Sequence, residues 1–139
     1  MTPPRVVLPP GALAMVRERH LSVLATQRAD GSPHLVPVGF TWGAGAGLVR
    51  VITSGPSVKA RNARRGGRAS VSQVDGRRWL TLEGPVRVLD DEASVRDAER
   101  RYAERYRVPR ENPLRVVVVI DVDRVLGASW PGVDEEPTA

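Results

Sequence analysis

The chain has 139 residues, no cysteine, a formal charge of +5 and an isoelectric point near 10.9. That length suits one domain with one core. The lack of cysteine excludes a thiol nucleophile, disulfides and cysteine-bound zinc, and fits a cytoplasmic setting.

Four prolines in the first ten residues predict an extended arm over residues 1–9, with no apolar core of signal-peptide type. Leu13, Val16 and His20 share one face at helical spacing, which predicts a short helix from about Pro10 to Arg19. Residues 21–28 (LSVLATQR) and 34–42 (HLVPVGFTW) read as two strands joined at Asp30-Gly31, a hairpin signal. Pro37 cannot donate to a ladder, so its strand should lie at an edge, at a bulge or beside a ligand. After GAGAG comes a third strand, LVRVITS (48–54).

Residues 54–67, SGPSVKARNARRGG, read as a short helix. Ser54 or Gly55 is its predicted N-cap, Pro56 its first residue, and Gly66-Gly67 its stop. A fourth strand follows at 68–74, then a turn at Asp75-Gly76 and a long strand over 77–90 bent at Gly84-Pro85. Residues 90–107 form the strongest helix pattern, with acid first, arginine last and a stripe of Val95, Ala98, Tyr102 and Tyr106. The last strand lies within 115–130, and 131–139 is a polar tail. Six hairpin-linked strands with three helices predict a mainly β, antiparallel fold able to close into a small barrel. No apolar run approaches the length of a membrane span.

The chemistry concentrates in few places. Lys59 is the sole lysine, and it follows the hydroxyls of Thr53, Ser54 and Ser57 at a helix start, where a phosphate or carboxylate could be held. The alternative is a solvated basic helix face; spacing alone leaves both readings open. A nucleic-acid patch would need interleaved aromatics, and none lies between residues 43 and 78. Pro37-Val38-Gly39 would suit the wall of a planar cofactor or a bend in the sheet. Trp79 shares a strand face with Thr81 and Glu83, while Leu80 and Leu82 take the other face. Glu83 reads as the ion-pair partner of Arg78 or Arg87 rather than as a base. The two histidines, His20 and His34, stand apart, so a histidine metal site is not expected.

Four segments in order, LSVLATQRADGSPHLVPVGFTW, ITSGPSVKARNARRGGRASVSQV, WLTLEGPVRV and VVVVIDVDRVLGASW, carry a family resemblance over roughly residues 11–131. The chain resembles the pyridoxamine-phosphate-oxidase-like split β-barrel proteins, and most of all their actinobacterial branch that uses the deazaflavin coenzyme F420. The resemblance implies a six-stranded, homodimeric split barrel that binds a flavin or deazaflavin between subunits. It implies an F420-dependent oxidoreductase acting on a small organic molecule, with an FMN-dependent enzyme or a non-enzymatic cofactor or haem-binding barrel as alternatives. It assigns the phosphate to Ser57 and Lys59, with Thr53 and Ser54 lining the junction. Val36, Pro37 and Val38 become the ring wall. Arg78 and Trp79 would approach from the partner subunit, and Trp130 would close the site. Many relatives carry arginine where this chain has Ser57, so one charge-assisted contact of about 1.5–3 kcal/mol is missing unless Arg61 supplies it.

Overall fold

The computed structural model describes residues 5–128 and Trp130; the polar tail and the first four residues of the arm lie outside the described residues. Residues 5–9 form neither helix nor strand, and Leu8 enters the core while the Arg5 guanidinium donates to the Gly45 carbonyl. Helix α1 (Pro10–Arg17) buries Ala12, Met15 and Val16. It ends two residues before the predicted stop, so His20 leaves the helix and its Nδ1 meets the Leu21 carbonyl at 2.7 Å.

Eight strands follow where six were expected, because two predicted runs each break in two. They are β1 (Ser22–Gln27), β2 (Pro33–Val38), β3 (Thr41–Gly43), β4 (Leu48–Ser54), β5 (Arg68–Asp75), β6 (Arg78–Leu89), β7 (Arg115–Asp121) and β8 (Arg124–Ala128). All pairings are antiparallel, in the order β2-β1-β5-β6-β7-β4-β3, with β8 also on β6. Gly39 and Phe40 interrupt the second predicted run, and Val122-Asp123 the last.

β6 organises the sheet. One edge pairs with β5 along residues 78–85, while the other pairs first with β8 and then, beyond Gly84, with β7. A Cβ on Gly84 would sit 1.9 Å from the Asp121 carbonyl oxygen, so only glycine allows the β7–β8 corner to press against β6. Register also settles the partner of Glu83. It faces Arg124, whose guanidinium lies 3.6 Å away, and accepts from Ser70. Arg78 instead pairs with Glu18 and Asp75, and Arg87 with Asp121, so the arginine ion pair expected of Glu83 forms, but with Arg124 in place of Arg78 or Arg87.

The apolar run Val116–Ile120 is buried on both faces. Val118 and Ile120 join Leu24, Phe40, Val49, Val71, Leu80 and Leu82 in the main core. Val117 and Val119 lie beneath helix α3 (Glu92–Arg105), against its Val95 and Ala98. Tyr106 falls just past the end of α3. The Arg105 side chain passes into the core, where it donates to the carbonyls of Glu18 (2.8 Å) and Phe40 (2.7 Å) and to Gln73 Oε1 (2.6 Å). Burial lowers its pKa, and these acceptors answer a charge that water no longer reaches.

Candidate functional site

Helix α2 (Val58–Arg64) starts later than the sequence implied. Its N-cap is Ser57, whose Oγ accepts from the Ala60 N–H at 3.2 Å and from Thr53 Oγ1 at 3.0 Å, so Pro56 stands outside the helix. Ser54 Oγ is engaged by Asn112 Nδ2 at 2.8 Å. The hydroxyls of Thr53, Ser54 and Ser57 therefore build the strand–helix junction itself. With Ala60 and Ala63 packed inward, α2 turns Lys59 toward a cavity and leaves Arg61 exposed.

That cavity has a volume of about 290 Å³. Its walls are Pro37, Val38 and Gly39 from the end of β2, Val51, Ile52 and Thr53 from β4, Lys59 from α2 and Tyr102 from α3. The loop after α3 and the start of β7 close it with Arg107, Pro109, Arg110, Asn112 and Arg115. Four of these residues are cationic and none is acidic. Burial lowers the Lys59 pKa, and no carboxylate among the described residues restores it. Arg115, by contrast, is paired with Glu99 at 2.5 Å. Gly39 is bare for a reason: a Cβ there would meet the Tyr106 ring at 3.0 Å and the Tyr102 ring at 3.3 Å. The two tyrosines thus back the β2 wall, and Tyr106 donates its hydroxyl to the Phe40 carbonyl at 2.9 Å. Burial raises the Tyr106 pKa to about 12, so it stays a neutral donor.

The structure brings together Pro37, Val38, Thr53 and Lys59 of the sequence candidates. Pro37 lies on β2, which among the described residues pairs with β1 alone and stands at the edge of the sheet. Val36 packs on the main core beside the wall, whereas Ser54, Ser57 and Arg61 do not line the cavity. Arg78 and Trp79 lie at the far end of β6 and line no part of this cavity. Trp130 is buried in its own chain, stacked over Gly127, with its indole N–H on the Trp79 carbonyl at 2.8 Å. Neither His20 nor His34 lines the cavity.

Sequence reasoning missed Arg107, Arg110, Asn112 and Arg115. The usable signal was RVPRENPLR, a proline-broken loop with cations at both ends directly ahead of the most apolar strand. The register Ser54↔Arg115 is what carries that loop to the junction.

An anionic cofactor with a planar ring is tested by these features. A half-buried ammonium without a counter-charge among the described residues fits a phosphate, the proline–glycine wall fits a flat ring, and no described carboxylate in the cavity opposes either.

Among known proteins, the F420H(2)-dependent biliverdin reductase of Mycobacterium tuberculosis (strain CDC 1551 / Oshkosh) is 58% identical over 118 residues, which span 85% of this chain and 86% of that protein. The crystal structure of the conserved hypothetical protein Rv2991 from Mycobacterium tuberculosis superposes with a TM-score of 0.73 at 23% identity, over 100% of this chain and 97% of that one. A solved F420 reductase gives 0.67 at 24% identity, over 85% of this chain and 98% of that one. These two structures share the fold. The pyridoxamine 5'-phosphate oxidase family matches residues 8–128, nearly all of the described chain. On that match and the 58% relative, the chain belongs to the pyridoxamine 5'-phosphate oxidase family.

Proposed function

We propose that this protein is an F420-dependent reductase whose substrate is a linear tetrapyrrole of the biliverdin type. The observation that carries the reading is Lys59: a half-buried cation with no carboxylate near it among the described residues, facing a cavity with a flat wall. The 58% relative, which by name uses F420H2 on biliverdin, supports both halves of it. Lys59 would hold the cofactor's phosphodiester. Pro37, Val38 and Gly39 would take the ring, with Val36 supporting the wall from the core. Thr53, Ser54, Ser57 and Asn112 fix the junction that aims Lys59, through the hydrogen bonds already described. The bound deazaflavin supplies the hydride, and the protein contributes binding, orientation and electrostatics. That division of labour accounts for a cavity without an acid–base pair.

A homodimer completes the reading. The outer sheet face aligns Leu35 with Ala25, Val23 with Pro37 and Ser72, and Val74 with Trp79 across successive strands. Leu35 is 66% exposed and Val74 60%, an unusual cost for a free sheet face. A second copy is the occupant that the family resemblance implies. Pro37 belongs both to this face and to the cavity wall, so the partner would border the cofactor, and Arg78 and Trp79 would reach it from that side. We place the enzyme in the cytoplasm; among the described residues no helix is long and apolar enough to cross a membrane.

Titration with F420 and, separately, with FMN, followed by tryptophan fluorescence, tests the cofactor. Tighter binding of F420 is expected. No binding of F420 at high micromolar concentration overturns the reading, and tight binding of FMN alone makes the protein a flavin enzyme. Sedimentation should give twice the chain mass, and Leu35→Glu should return it to one.

A further inference from the structure

The loop 107–114 is pinned to the strand–helix junction. Asn112 Nδ2 donates to Ser54 Oγ at 2.8 Å, the Gly55 N–H donates to the Leu114 carbonyl at 2.8 Å, and Arg115 Nη2 donates to the Arg110 carbonyl at 2.7 Å. A segment held this way loses little further freedom when a ligand arrives. Yet Arg107 and Arg110, the two exposed guanidinium groups that this loop brings to the cavity, make no hydrogen bond or ion pair among the described residues and are left to water or a ligand. Arginines elsewhere along α3 behave differently: Arg96, Arg100 and Arg101 are each paired with Asp97 or Glu99. Among the described residues, the cavity offers Arg107 and Arg110 no carboxylate.

A guanidinium presents a planar fork of donors that matches a carboxylate, and two of them on one fixed loop favour a ligand with its own acid. We infer that Arg107 and Arg110 form a carboxylate subsite, distinct from the charge on Lys59, that selects ligands carrying a second anionic group. The inference deepens the F420-dependent reading and rests on it. Two components of that reaction carry carboxylates, the glutamate tail of the cofactor and the propionates of a linear tetrapyrrole. FMN carries its phosphate alone and gains nothing from the subsite.

The test is the double variant Arg107→Gln/Arg110→Gln in the full chain. Binding of glutamylated F420 and of FMN is read by tryptophan fluorescence, and binding of biliverdin and its dimethyl ester by tetrapyrrole absorbance. The double variant should lose about tenfold in affinity for glutamylated F420 or for biliverdin, the scale of one charge-assisted contact. FMN and the diester should bind as they do to the wild type, and the affected affinity should depend less on salt. A loss confined to F420 assigns the subsite to the cofactor tail, and a loss confined to biliverdin assigns it to the substrate. Unchanged binding of both overturns the inference, as does an equal loss for FMN and the diester, which would mark a general disturbance. A wild-type chain that binds no F420 overturns the parent reading instead, and the biliverdin pair then decides the subsite alone. Arg107→Lys/Arg110→Lys, which keeps charge but not the fork, should recover part of the loss with an unchanged melting temperature.

Discussion

Two arginine-rich regions meet along α3, and they differ in pairing. Along the helix, Arg96, Arg100 and Arg101 find acid, as do Arg50 and Arg115 beneath it, while Arg105 turns to carbonyls in the core. Asp97 receives Arg101 at 2.9 Å and Arg50 at 3.8 Å and also pairs with Arg100, while Glu99 takes Arg115 at 2.5 Å and Arg96. Burial pushes both carboxyls up, but the hydrogen bonds and charge of these guanidinium groups outweigh it and hold them below the usual carboxylate range. Beyond the C-terminus of the same helix, Arg107 and Arg110 share with Lys59 of α2 a cavity that has no acid among the described residues, and burial is what lowers the Lys59 pKa. The first region stabilises itself. The second holds charge that the fold leaves uncompensated, the arrangement expected where the counter-charge belongs to a ligand.

The largest effect should come from the most deeply committed cation. Arg105 is 9% exposed and satisfies the Glu18 and Phe40 carbonyls and Gln73 Oε1, with its guanidinium 4.6 Å from the Phe40 ring centroid. Arg105→Met keeps much of the stem but strands those acceptors in the core. It should lower stability by about 3 kcal/mol, seen as a fall in the denaturation midpoint. A midpoint unchanged from wild type would break the claim that pairing is what anchors the first region.

Lys59→Ala should do the reverse: weaken F420 binding about tenfold, near 1.4 kcal/mol, and leave the melting temperature nearly unmoved. Its pH dependence sharpens the point. Burial sets the ligand-free Lys59 pKa below its ordinary 10.5, so the folded chain releases this proton before the unfolded chain does. The free protein's stability therefore rises with pH in the window just below 10.5. A bound phosphate favours the ammonium, so wild-type affinity should stay level at neutral pH and fall as pH climbs through that same window. The variant should show no such fall.

How much of this could be read in advance divides along the same line. Pro37 limited its strand to an edge, a bulge or a ligand's side because a missing N–H has a local consequence, and the structure shows the edge; LVRVITS announced a strand and VVVVI a buried one through composition alone. The acid-to-arginine gradient over 90–107 likewise announced α3. Tertiary register was not legible. Glu83 could have met Arg78, Arg87 or Arg124, and only the β6–β8 alignment chooses Arg124. The break at Val122-Asp123 follows from the close approach at Gly84, a contact between residues nearly forty apart. Within the site, Lys59 stood out as the one lysine, but the cap of α2 was expected at Ser54 or Gly55 and is Ser57. Arg107 and Arg110 stayed hidden because their position depends on Asn112 reaching Ser54, a bond between residues 58 apart in sequence.

Tyr106 probes the seam between the two regions, since it backs the Gly39 wall and touches Arg105. Tyr106→Phe removes the hydrogen bond to the Phe40 carbonyl and should cost about 1 kcal/mol. With its pKa raised from 10.0 to about 12, the folded tyrosine keeps its proton after the unfolded one has lost it. That contribution is full below pH 10 and is lost as pH rises toward 12, so the wild type should lose its advantage over Tyr106→Phe across that interval. A constant difference between the two proteins there would place the phenol in water.

The smallest effect is the control. Arg100 is paired with Asp97, but its side chain is 66% exposed and Asp97 keeps Arg101 and Arg50. Arg100→Gln should therefore change stability by less than about 0.5 kcal/mol, the range of exposed pairs. It should also leave F420 affinity unchanged, even though it removes a full positive charge from a basic protein. Its charge is already answered by Asp97, and what remains is screened by salt over a Debye length of about 8 Å. If Arg100→Gln weakened F420 binding as much as Lys59→Ala, affinity would follow total charge and not the unpaired cations of the cavity. The distinction between the two regions would then collapse.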